Sequence, residues 1–190
     1  MTLVGWVAWL ICGIYATIPS FWMAIHPFAS RWRGVRSRYS LIAPMWMAMW
    51  VVAWAVTEPW AHTALYRTPW TWGVTLTCFY VSYRMYSGGV RGMSLPLIVG
   101  KQELEPSRHQ HLITHGVHGM VRHPLYLGHV CTMLGWSIGS GSFACFALTA
   151  FAIVTGAIMI PMEEHELRQR FGSEYDRYAE RVPMILPRLF

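Results

Sequence analysis

What most limits the folding of this chain is a series of long runs almost free of charged side chains. Reading for stretches able to cross about 30 Å of hydrocarbon gives five candidate spans: Leu3 to Ile25, Leu41 to Thr57, Pro69 to Tyr86, Pro124 to Ile138 and Phe143 to Ile160. A soluble domain carries about a quarter charged residues; here 13% are charged and 54% hydrophobic, which excludes that class. The 16 Gly, 11 Pro and 4 Cys follow no period or framework spacing, so a collagen-like repeat, a disordered chain and a disulfide scaffold are excluded too. The expectation is one all-α membrane bundle over residues 1–190, with about five transmembrane helices. No Lys or Arg precedes the first run and no small-residue cleavage site follows it, so it is read as an anchor rather than a removed leader.

Positive charge orients the spans. Arg31, Arg33, Arg36 and Arg38 follow the first; Arg84, Arg91, Lys101, Arg108 and Arg122 follow the third; Arg168, Arg170, Arg177, Arg181 and Arg188 lie in the tail. The second loop has only Arg67, and Gly139 to Ser142 has none. Since Lys and Arg favour the cytoplasmic side, the N-terminus is placed outside and the C-terminus in the cytoplasm, in a plasma (inner) membrane or the endoplasmic reticulum. The net charge of +6 belongs to this asymmetry and suits anionic head groups. No basic cluster stands apart from the membrane flanks, so the bilayer, not nucleic acid, is the expected partner, and no obligatory protein partner is inferred. Trp60, Trp70 and Trp72 mark an outer aromatic belt, Trp22 and Trp32 an inner one. Cys12, Cys78, Cys131 and Cys145 lie inside spans without a CxxC and read as small hydrophobes. Gly135 and Gly139 permit close helix approach, and the Gly-Ser-Gly-Ser turn at 139–142 should fold spans four and five into a tight hairpin.

Polar capacity is concentrated in residues 101–129 and 161–188. The first stretch holds His109, His111, His115, His118, His123 and His129. His111 and His115 are four apart and would suit a metal on one helical face, but Gly116 and Gly119 interrupt any helix there and no carboxylate falls at a partner spacing. No metal is assigned; singly, each His reads as a hydrogen-bonded interfacial side chain. Pro124 opens the fourth span after Arg122 and His123, placing unpaired backbone N–H groups beside two basic side chains. That makes either an anion receptor or a plain membrane helix start with a snorkelling Arg.

Pro161 is expected to end the fifth span, with Glu163, Glu164 and Glu166 in the first turn of a charged helix, where capping alone would account for them. Leu167, Phe171, Tyr175, Tyr178 and Val182 then form an apolar stripe, with Glu164–Arg168 and Glu166–Arg170 at i,i+4 spacing. The reading is a cytoplasmic amphipathic C-terminal helix, weakened by Gly172. Two neighbouring receptors of opposite sign would suit a zwitterionic cofactor carrying a diol.

The residues V-R-H-P-L-Y-L-G-H at 121–129 and E-E-H-E-L-R-Q-R-F-G-S-E-Y-D-R-Y-A-E-R-V-P at 163–183, with the lead-in L-I-T-H-G-V-H at 112–118, resemble the isoprenylcysteine carboxyl methyltransferase and phospholipid methyltransferase family of integral-membrane enzymes. The resemblance covers roughly residues 103–187. It implies methyl transfer from S-adenosylmethionine, with S-adenosylhomocysteine as product, to a hydrophobic small molecule or lipid. Residues 1–100 would then supply N-terminal spans and 101–190 the cofactor-binding core. Carried over position by position, cofactor contacts fall on Gln110, His111, Leu112, Ile113, His118, His123, Pro124, Leu125, Tyr126 and Glu163. His118 stands where the family usually has Tyr or another aromatic. Glu164, Arg122 and Gly128 form a second tier, and Arg122, His123 and Glu164 are assigned to the transfer step. In this picture the methionyl carboxylate meets the helix start and the charge near Arg122 and His123, and Glu163 accepts from the ribose diol or the amine. Glycine-rich Rossmann turns are not part of this family's pattern, so their absence is no objection.

One position departs. Family members that methylate the isoprenylcysteine carboxylate usually place an Arg one turn before the first Glu, where this chain has Met159. A buried carboxylate without a cation is disfavoured unless Arg84 or Arg122 substitutes. A lipid amine, an apolar thiol or a phenolic lipid is therefore set beside carboxyl O-methylation as the acceptor. A His-ligated metal oxidoreductase and a silent membrane scaffold remain as rivals, and whether residues 87–110 form a lid stays open.

Overall fold

The structure, a computed structural model, describes residues 2–28, 31, 38–91 and 111–188. The described residues are all-helical apart from connections: α1 (Leu3–Ile25), α2 (Arg38–Ala61), α3 (Thr71–Gly89), α4 (Pro124–Ser140), α5 (Phe143–Phe171) and α6 (Ser173–Arg181), with short 3-10 turns at His26–Phe28 and Gly116–Gly119. By length and composition three helical stretches can cross a membrane: Leu3–Phe28, Ser40–Ala61 and Phe143–Phe171.

α1 runs along α5 through small side chains. Ala8, Cys12 and Ala16 pack with Cys145, Leu148 and Ala152 in one buried cluster; small residues at this spacing bring backbones close and gain dispersion contacts that lipid tails do not offer. α2 is tied to α1 by indole donors, Trp9 Nε1 to Thr57 Oγ1 at 2.8 Å and Trp46 Nε1 to Thr17 Oγ1 at 3.0 Å, while Val51, Val52 and Val56 stay exposed. An outward apolar face of this kind suits lipid.

α3 and α4 form the most extensive helix pair, and their polar side chains explain why hydropathy marks them weakly. Thr75 Oγ1 donates to the Gly135 carbonyl at 3.1 Å and Ser82 Oγ meets Thr132 Oγ1 at 2.6 Å. A Cβ on Gly135 would come within 2.6 Å of the Phe79 ring, and one on Gly139 within 2.9 Å of Thr75. These glycines therefore permit the expected close helix approach, and the partner they admit is α3. The hairpin itself forms through a two-residue connection: Gly141 takes φ 62° where a side chain would run into the Tyr66 carbonyl, and Ser137 and Thr149 hydroxyls meet at 2.9 Å.

The larger correction concerns Pro161. α5 passes through it without a break, for 29 residues, about 43 Å at 1.5 Å per residue. Neighbouring helices can re-satisfy the carbonyl that a proline frees. Glu163, Glu164 and Glu166 therefore ride on a rigid extension of α5 beyond its apolar part rather than in a new first turn, so helix capping does not explain them. The chain bends later, at Gly172 with φ 54°, into the separate helix α6. The extension is docked on the end of α1, where His26 Nδ1 meets Glu166 Oε2 at 2.7 Å and Arg170 Nη2 meets the other oxygen at 2.7 Å. The ends of α1 and α3, the start of α4 and the α5 extension thus gather at one end of the bundle.

Candidate active site

The lead-in to α4 is held from both sides. Residues 111–115 are not helical, so His111 and His115 do not share a helical face. Gly116 (φ 64°) starts the 3-10 turn that delivers His118, whose Nε2 lies 3.2 Å from the Gly89 carbonyl. Burial pushes the His118 ring below its usual range. Tyr178 Oη of α6 donates to the His118 carbonyl at 2.7 Å, and burial pushes that phenol up to about 12. The tail then runs beside the lead-in: Arg122 N donates to Pro183 O at 2.9 Å and His123 N to Met184 O at 3.0 Å.

At the centre lies Glu164, a buried carboxylate on α5. Its Oε1 takes Arg122 Nε and Nη2, each at 2.7 Å, and His123 Nε2 at 3.2 Å, while Arg168 Nη2 stands 3.4 Å from Oε2. Burial pushes this carboxyl up, but the hydrogen bonds from His123 and Arg122 outweigh it and hold it at about 2. Arg122 Nη1 also donates to the Ala179 and Val182 carbonyls at 2.7 and 2.8 Å. The guanidinium read as a receptor for a ligand carboxylate is thus turned inward, tying α4, α5 and α6 together.

His123 sits between the two glutamates. Its Nδ1 lies 3.7 Å from Glu163 Oε2, too far for a hydrogen bond, and that oxygen is buried without a hydrogen-bond partner among the described residues. An unpaired buried carboxylate oxygen is costly, so this one is an acceptor lacking donors.

The other expected residues spread around this pair. Tyr126 Oη is 3.5 Å from the sulfur of buried Met159, and the Tyr126 and His123 rings lie 5.8 Å apart. Pro124 and Leu125 face Gly89 of α3, and Gly128 faces Met85 and Tyr86. Leu112 packs against Tyr175, Tyr178 and Val182; Ile113 is half-buried and His111 exposed. Gln110 and most of residues 87–110 lie outside the described residues. Sequence reading paired Arg168 with Glu164, as the structure does at 3.4 Å, but missed its place 5.7 Å over the Tyr175 ring and the tail carbonyls that fix Arg122 and His123; backbone acceptors leave no signature in side-chain identity. A cavity of about 340 Å³ lies at the far end of the bundle, among Thr2, Ala61, His62, Arg67, Trp72 and Ser140, and none of these motif residues lines it.

The phospholipid methyltransferase family matches residues 71–174, from the start of α3 to the start of α6. The chain belongs to the phospholipid methyltransferase family. It is similar to protein-S-isoprenylcysteine O-methyltransferase B of Arabidopsis thaliana, 40% identical over 90 residues, 45% of this chain and 44% of that protein. Methanethiol S-methyltransferase 1 of Bradyrhizobium diazoefficiens is 28% identical over 162 residues, 80% of this chain and 54% of the relative. A nickel-cobalt-cadmium resistance protein of Alcaligenes xylosoxydans xylosoxydans is 39% identical over 84 residues, 41% of this chain and 37% of the relative. The matched segments thus span about half or less of the relatives' own length. No solved structure matches. In this family member the donor-poor Glu163 oxygen, the start of α4 and the His123 ring offer a buried acceptor beside a helix N-terminus, the two polar features that an amine, a diol and a carboxylate on one ligand require.

Proposed function

We propose that this chain transfers a methyl group from S-adenosylmethionine to a hydrophobic acceptor at the cytoplasmic membrane face. The observation that carries this reading is the unpartnered buried oxygen of Glu163 facing His123 at the start of α4, inside the segment matched by the methyltransferase family. In the proposed topology all five long helices cross the membrane. α3 and α4, at 19 and 17 residues, reach about 26–28 Å and shield their polar faces against each other.

Bound S-adenosylmethionine would supply an electrophilic methyl on a sulfonium sulfur. Glu163 would accept from its ribose hydroxyls or amine, and the first turn of α4 with His123 would face its carboxylate. Leu112, Ile113, His118 and, outside the described residues, Gln110 would border the nucleoside. Arg122 and Glu164 act here as positioning residues: they fix the His123 ring and the α4 start without turning to the ligand. Methyl transfer is governed by alignment, with reacting atoms about 3–3.5 Å apart, and a dry pocket favours steps in which charge is cancelled.

The acceptor we assign is an uncharged nucleophile, not a carboxylate. Met159 fills the position where carboxyl methylation would call for an Arg. Arg84 is exposed and bonded to Tyr80 Oη at 3.0 Å, and Arg122 is paired with Glu164, so neither replaces it. Titration calorimetry of S-adenosylhomocysteine into the purified protein tests the reading: binding that is lost in Glu163→Ala supports it, and binding unchanged by that substitution removes its central contact.

A further inference from the structure

The cavity of about 340 Å³ at the far end of the bundle takes no part in the chemistry proposed above. Its frame is fixed by the backbone. The α2–α3 loop pairs with the α4–α5 hairpin through Leu65 N to Gly141 O at 2.8 Å and Phe143 N to Thr63 O at 3.0 Å, and Tyr66 Oη donates to the Ile138 carbonyl at 3.0 Å. Arg67 follows directly on this held segment and lines the cavity together with His62, and among the described residues no Asp or Glu lines it. Two long helices also begin at its wall, α1 after Thr2 and α5 after Ser142, and a helix start brings the positive end of the dipole. Ser142 is an independent sign that this wall serves a ligand. It is only 5% exposed, its side chain makes no cap bond to its own helix, and its Oγ is buried without a hydrogen-bond partner among the described residues. A buried hydroxyl left unpaired calls for an explanation.

We propose that this cavity binds the head-group phosphate of an anionic phospholipid, on the membrane face opposite the cofactor pocket, with Arg67 as its charge partner and Ser142 Oγ as a neutral donor. The assignment rests on the proposed orientation in the bilayer and not on methyl transfer. A guanidinium, hydroxyl donors and two helix starts around one space favour an anion with several acceptor oxygens. The source is the bilayer because Trp60, Trp70 and Trp72 are exposed at this end, where an aromatic belt lies at head-group level, and Trp72 itself lines the cavity. Small-molecule sites start at about 300 Å³, so the space holds a head group and leaves the acyl chains outside, beside the exposed Leu3 and Val4 of α1. An anionic head group is preferred to a zwitterionic one, since no carboxylate lines the cavity to pair with an ammonium. The bound phosphate would join the start of α1, the α2–α3 loop and the α4–α5 hairpin.

The test is native mass spectrometry of the detergent-purified chain titrated with dioctanoyl phosphatidylglycerol, dioctanoyl phosphatidylcholine or inorganic phosphate, using wild type, Arg67→Gln, Ser142→Ala and, as a control at an exposed Arg outside the cavity, Arg84→Gln. The expected result is one tightly held phosphatidylglycerol per wild-type chain, with phosphatidylcholine about fivefold weaker or more. Arg67→Gln should weaken the phosphatidylglycerol about 10-fold or more, the worth of hydrogen bonds to a charged group, and Ser142→Ala about 3–10-fold, the worth of one neutral hydrogen bond. Ser142→Ala should not lower the thermal midpoint of the lipid-free protein, because the hydroxyl bonds nothing there, and a purely structural serine would lower it. Arg84→Gln should bind as wild type does. Equal affinity for the two lipids, equal losses in Arg67→Gln and Arg84→Gln, or Arg67→Gln binding as wild type does overturns the assignment. Inorganic phosphate held through Arg67 when phosphatidylglycerol is not overturns the lipid source. S-adenosylhomocysteine binding should be unchanged in all three variants, so failure of this site leaves methyl transfer standing.

Discussion

Arg122 and Glu164 show how much of this site is bound up in holding itself together. Removing one partner of a buried ion pair leaves an uncompensated charge, so Arg122→Ala should cost about 3–5 kcal/mol, read as a fall in thermal midpoint. Glu163→Ala should leave that midpoint within about 2 °C while S-adenosylhomocysteine affinity falls more than tenfold, because its buried Oε2 has no hydrogen-bond partner among the described residues to lose. The pair also sets a pH limit. Glu164 is held at about 2 against an ordinary value of 4.5. A depressed carboxyl contributes stability that is fully present above its unfolded pKa and is lost as pH falls through its folded one. Acid unfolding monitored by intrinsic Trp fluorescence should therefore begin below about pH 4.5, and Glu164→Gln should flatten the dependence. Residue types and spacing singled out His123 at a helix start and the Glu163–Glu164 pair, and the family resemblance added Tyr126 as an expected contact. They did not make legible that Arg122 points inward, because its partners include the carbonyls of Ala179 and Val182, and any residue supplies a carbonyl.

Helices α3 and α4 were legible as helices through their apolar majority, while Thr75, Ser82 and Thr132 lower their hydropathy for a reason visible only in the pair, the hydroxyl contacts between them. Gly135 is the test of that contact. Gly135→Ala places a methyl 2.6 Å from the Phe79 ring, and overpacking of this kind costs about 1–3 kcal/mol, measurable as a lowered thermal midpoint in detergent. Pro161 misled for the opposite reason: its helix-breaking tendency is a rule for helices in water, and packing overrode it in α5. The consequence is functional, because only a continuous α5 carries Glu163 and Glu164 rigidly to the start of α4. The tail contributes as a strand-like brace, and ending the chain after Arg181 removes the Val182, Pro183 and Met184 carbonyls that hold Arg122 and His123. S-adenosylhomocysteine binding should then fall below detection in the same calorimetric assay.

For the molecule as a whole, the proposed orientation rests on the charge asymmetry of the sequence. The ends of α1 and α3, the start of α4 and the extension of α5 share one end of the bundle, and that end carries the basic flanks of the proposed cytoplasmic side. The claim on which the account depends is that this end holds a sulfonium nucleoside between α4 and α5. The most direct measurement is equilibrium binding of S-adenosylhomocysteine to the purified protein alongside Glu163→Ala and His123→Ala. The account predicts one site per chain in wild type and its loss in both variants with the fold retained; wild-type protein that is folded and binds nothing, or variants that bind as wild type does, would contradict it.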